Sequence, residues 1–119
     1  MLRLIKNLFA AGKQQAVIIT PHFKSSEEFG TKVEQQAVYN LEDAIEKILP
    51  SGSYVDGHEF GGGHANIYLY GPEADLIFQS IEDMLKSADF RTIKVALRYG
   101  SVYNPKAFIK NVEIMPKIR

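Results

Sequence analysis

The residues best equipped for chemistry fall in one short stretch, DGHEFGGGH, which carries Asp56, His58, Glu59 and His64 around three consecutive glycines; a further histidine, His22, lies upstream. Imidazoles and carboxylates move protons near neutral pH and ligate metals, so a hairpin turning at Gly61–Gly63 would bring two imidazoles and a carboxylate together. Strict strand alternation puts Asp56 and His58 on one face and Glu59 on the other. Asp56 and His58, with His64 or His22 as third member, are therefore the candidate polar cluster. Against a metal or catalytic role stands the lack of any specific spacing. Zinc needs three or four ligands held by a second shell, whereas these histidines flank flexible glycine. The chain has no HExxH, no phosphate-cradling glycine pattern and no G-x-S-x-G elbow. A hairpin tip whose glycines supply positive φ and whose polar side chains face solvent accounts for the same residues. The expectation is no catalytic residue, no metal and no cofactor.

The elements that must position this cluster follow from hydrophobic period. Residues 16–23, AVIITPHF, read as a first strand that Pro21 confines to a sheet edge or bends near its end. Thr31 and Glu34 make a capping box, and Val33, Ala37, Val38, Leu41, Ala44, Ile45, Ile48 and Leu49 recur at helical steps until Pro50, which predicts a helix over 32–49. SYVDGHEF and ANIYLY form a hairpin; Gly71 and Pro72 open a second helix with the stripe Ala74, Ile77, Phe78, Ile81, Met84 and Leu85. A strand at 92–99 and a short edge strand at 108–115 complete the chain. The order strand, helix, strand, strand, helix, strand predicts an α+β, ferredoxin-like split βαβ sandwich, βαββαβ plus a C-terminal edge strand. Its strand order would be 4-1-3-2, with both helices on one face of an antiparallel sheet.

With 119 residues, 45% of them hydrophobic, the chain suits one domain: an amphipathic segment at 1–12, a core at 16–100 and an extension at 101–119. Cysteine is absent, which excludes thiolate chemistry, CxxC zinc clusters and disulfide scaffolds. Leu2, Ile5, Leu8 and Phe9 fit one stripe of a short helix, but the apolar runs are too short for a cleaved leader or a membrane span. A cytoplasmic location is the expectation. Net charge is zero, yet residues 1–24, 25–90 and 91–119 carry +4, −10 and +6. Such asymmetry steers charged partners rather than setting the fold.

The face opposite the helices is the second candidate site. Alternation gathers Asn66, Tyr68 and Tyr70 there with Lys94 and Arg98, joined by Thr20 and His22 from the first strand. Tyrosine and arginine are typical anchors of protein interfaces. RNA-binding modules of the same topology carry stacking aromatics on two central strands. Here GGHANIYL places Asn66 at a stacking position and VIITPH lacks the second aromatic, so nucleic acid is not the expected partner. Exposed tyrosines beside an unprotected sheet edge argue instead for a protein partner or a homodimer.

Over residues 31–100, NLEDAIEKIL, GSYVDGHEFGGGHANIYLYGPEADLIFQSIE and VALRYG resemble a group of small uncharacterised bacterial proteins of ferredoxin-like fold. The shared features are turn glycines, helix starts and core positions, so the resemblance implies a fold and carries no catalytic residue. Size, lone-domain layout and an acidic helical layer also resemble immunity proteins that neutralise secreted bacterial toxins. The expected function is a non-enzymatic protein-binding or regulatory domain, with toxin immunity its most concrete form. The alternative is a small enzyme or metal-binding protein built on Asp56, His58 and His64.

Overall fold

The computed structural model describes residues 14–101 and 103–116; the amphipathic pattern at Leu2–Phe9 lies outside them. The elements are β1 (Gln15–His22), α1 (Lys32–Ile48), β2 (Tyr54–Gly61), β3 (His64–Gly71), α2 (Ala74–Lys86), β4 (Thr92–Arg98) and β5 (Ile109–Ile114). The strands form one antiparallel sheet in the order β2-β3-β1-β4-β5, an α+β architecture compatible with the ferredoxin-like class. No helix among the described residues is long and apolar enough to cross a membrane.

Strand alternation decides where the core lies. Val17 opposes both Leu69 and Leu97, and Ile19 opposes both Ile67 and Val95; residues directly opposite in antiparallel ladders share a face. All six are buried in one cluster with Val38, Leu41 and Ile45 of α1 and Ile77, Ile81 and Leu85 of α2, so both helices cover the same face. Each such side chain contributes roughly 1.5–3 kcal/mol of transfer free energy.

Several sequence expectations are corrected. Of the two readings of Pro21, the sheet edge is excluded, because β1 lies between β3 and β4. Pro21 is tolerated there because its ladder to β4 is continuous through Ile93, while the ladder to β3 skips from Ile19 to His22. The missing N–H thus falls on the β3 side. Pro72 precedes the N-cap of α2, Glu73, instead of opening the helix; the Ala74 N–H is accepted by Gln15 Oε1 at 2.7 Å. In α1, Val33 is 80% and Ile48 43% exposed. Val33 lies about 140° around the helix from Val38, and Ile48 follows the buried line but sits in the last turn.

Thr31 and Glu34 form the expected capping box. The Glu34 carboxylate reaches further, accepting from the backbone N–H groups of Lys24 (2.9 Å), Ser25 (3.1 Å) and Thr31 (3.0 Å) and from the Ser25 hydroxyl. Burial pushes this carboxyl up, but the four hydrogen bonds outweigh it and hold it at about 2. One side chain therefore starts α1 and fixes the end of β1.

Candidate functional site

The hairpin of β2 and β3 turns at Gly62 and Gly63, whose φ values of 65° and 83° are what a two-residue hairpin turn with right-handed twist requires. Across it the register slips once. Val55 opposes Leu69 and Gly57 opposes Tyr68, so Asp56 and Gly57 together meet a single position of β3, a β-bulge. Beyond the bulge alternation resumes on shifted parity: His58 opposes Ile67 and Phe60 opposes Ala65 on the helix side, and Glu59 opposes Asn66 on the far side.

The bulge divides the proposed polar cluster. Asp56 stays with the far face, where burial first and then its charge raise the pKa of the Tyr54 and Tyr70 phenols. His58 is on the helix side. Its Nδ1 lies 2.8 Å from Glu42 Oε2 of α1, and its ring meets Tyr39 and Phe60 edge-on at centroid separations of 5.2 and 5.4 Å. Asp56 and His58 thus do not share a face, and Asp56 and Glu59 do, the reverse of strict alternation. Glu42 escaped the sequence reading because it lies 16 residues from His58, beyond any local pattern.

The far face gathers the remaining candidates. His22 and His64 stand opposite each other on β1 and β3, rings 5.2 Å apart. Burial, helped by the charges of His64, Lys94 and Arg91, holds the His22 imidazole below its ordinary pKa, and its Nε2 is buried without a hydrogen-bond partner. Beside them runs a polar chain. Thr20 Oγ1 donates to Asn66 Oδ1 at 2.7 Å, Asn66 Nδ2 lies 3.4 Å from Glu59 Oε1, and the Tyr68 hydroxyl donates to the same carboxylate oxygen. Burial and the Glu59 carboxylate push Tyr68 up to about 12, while the hydrogen bonds from Tyr68 and Asn66 lower Glu59. Tyr54 and Tyr70 form a cross-strand aromatic pair at 5.8 Å. Tyr54 was missed on sequence, since only the register of β2 against β3 reveals it.

Toward β5 the face changes character. Lys94 is exposed and opposes both Thr20 and Glu113, and an open hollow of about 510 Å³ lies between Thr20, Lys94, Asn111 and Glu113. Arg98 turns back on its own loop, donating to Ser101 O at 3.4 Å and to Asn104 O. Its guanidinium braces the β4–β5 connection. Among the described residues, no three histidine, aspartate or glutamate side chains are placed to hold a metal ion. The surface offers a row of half-buried tyrosines, a hydrogen-bonded polar chain and one exposed ammonium group. Comparison of the chain with protein-family models, with curated proteins and with solved structures returned no match.

Proposed function

We propose that the chain is a protein-binding domain that engages its partner through the far face of the sheet, with immunity to a toxin as its most concrete form. The observation that supports this is the alignment of Tyr54, Tyr68 and Tyr70 on the adjacent strands β2 and β3, with Lys94 on the same face two strands away on β4. Tyrosines supply large amphipathic contact area at small entropic cost, and they already lie fixed by their cross-strand neighbours. Lys94 adds one positive charge at the rim opposite Glu113, so the complementary surface has an aliphatic or aromatic centre and a rim of mixed charge. The polar chain Thr20–Asn66–Glu59–Tyr68 already holds these side chains in place, so binding would not have to order them.

The test is a captured partner and a discriminating pair of variants. A protein retained by the full chain should bind Tyr68→Ala or Lys94→Glu at least about tenfold more weakly. It should bind Val33→Asp, on the exposed side of α1, unchanged. For immunity, the wild-type chain should block the partner's toxicity at stoichiometric ratio and Tyr68→Ala should not. Equal binding by all three variants, each folded, would remove the far face from consideration.

A further inference from the structure

β5 closes one side of the sheet, and its backbone polarity can be assigned. The Tyr99 N–H donates to Phe108 O at 3.0 Å, and the ladder runs on through Leu97–Lys110, Val95–Val112 and Ile93–Ile114. Hydrogen-bonded pairs alternate in an antiparallel ladder. The N–H and C=O groups of Ile109, Asn111 and Glu113 therefore point away from β4, and Met115 follows directly on the strand. Among the described residues no strand pairs with them. The opposite edge strand, β2, carries the bulge at Asp56 and Gly57, one of the devices that discourage edge pairing. Ile109–Ile114 has no proline and no bulge, and its two charges, Lys110 and Glu113, cancel.

We infer that β5 pairs antiparallel with β5 of a second copy of this chain, around a two-fold axis at Val112. A two-fold axis that joins two sheet edges antiparallel stands perpendicular to the sheet, so each residue must oppose one of its own face. That restricts the axis to a residue, not to a point between residues. Centred on Asn111, the pairing would set Ile109 against Glu113 and Met115 against Ala107. Centred on Val112, it sets Ile109 against Met115 twice and the Asn111 amide against the Glu113 carboxylate twice. Ile109 and Met115 are 44% and 68% exposed in the single chain, a poor placement for large apolar groups and a good one for a cross-strand apolar pair. The residues of β5 with outward backbone groups are ones this register hydrogen-bonds. Val112 meets its counterpart as a non-hydrogen-bonded pair, about 4.5 Å between Cα atoms. The result is a continuous ten-stranded sheet that leaves Tyr54, Tyr68 and Tyr70 uncovered, so it stands independently of the partner-binding role of the far face.

The chain contains no cysteine, which makes single-cysteine probes clean. Under mild oxidation Val112→Cys should form a covalent dimer and Asn111→Cys should not, because only the former lies on the axis within disulfide reach. In sedimentation of the full chain, Ile109→Lys with Met115→Lys should weaken dimerisation at least about tenfold. Ile109→Lys with Met115→Glu should restore it, since opposite charges would then face each other. A monomer at micromolar concentration, a dimer indifferent to both lysines, or cross-linking through position 111 instead of 112 would each overturn the inference.

Discussion

His58 Nδ1 stands 2.8 Å from Glu42 Oε2, and this contact ties β2 to α1 on the side of the sheet away from His64. The two side chains are 28% and 15% exposed, so the pair is partly desolvated and further held by the rings of Tyr39 and Phe60. A double-mutant cycle with His58→Ala and Glu42→Ala should give a coupling of about 0.5–1 kcal/mol in denaturant unfolding. Zinc affinity should be the same with and without His58. A coupling near zero would mean that the pair does not hold the helix to the sheet.

The central layer should dominate stability. Leu69 is fully buried between Val17 on β1 and Val55 on β2, under the helices. Leu69→Ala should cost about 2–5 kcal/mol. Ile48→Ala, at an exposed helix end, should cost less than about 1 kcal/mol. Chemical denaturation of both variants checks the ranking, and equal losses would place the core elsewhere.

Much of this fold is legible in residue types. Val17, Ile19, Ile67, Leu69, Ile93, Val95 and Leu97 alternate so cleanly that the core face follows from period alone, and Thr31 with Glu34 marks the start of α1. The site was less legible for one physical reason: a bulge is a register event between two strands, and neither DG nor the glycine run encodes it uniquely. One inserted residue put Asp56 on the face of Glu59 instead of that of His58. Glu42 and Tyr54 went unseen for the same cause, because each acquires its partner only through long-range pairing. Arg98 was placed on the correct strand, but its guanidinium is taken up by carbonyls of a loop whose path the sequence does not specify.

The tyrosines of the far face predict an alkaline limit to stability. Tyr68 is pushed up to about 12 from an ordinary 10.0 by burial and by its hydrogen bond to Glu59. A group whose pKa is raised by folding contributes stability present below its unfolded value and lost as pH rises toward the folded one. Unfolding midpoints should therefore fall between about pH 10 and 12. Tyr68→Phe should flatten that fall by on the order of 1 kcal/mol, after allowance for the solvent that reaches the ring. A variant with an unchanged alkaline slope would show that the Tyr68–Glu59 bond is not maintained.

Glu34 sets the acid limit, and here the sign is opposite. Its carboxylate accepts from Lys24, Ser25 and Thr31 in the folded chain, which holds its pKa at about 2 against an ordinary 4.5. The stability it adds is present above about pH 4.5 and is lost as pH falls from there toward 2, because protonation removes an acceptor that three backbone N–H groups depend on. Glu34→Gln keeps the shape and one acceptor oxygen but not the charge, so it should cost about 1 kcal/mol at neutral pH, the usual scale for a lost helix cap. More tellingly, the difference between wild type and variant should shrink as pH drops through that window. Amide exchange at Lys24, Ser25 and Thr31 should quicken in the variant while exchange in β4 stays unchanged. If wild type and variant lose stability in parallel between pH 4.5 and 2, the carboxylate is not what fixes the end of β1 to the start of α1.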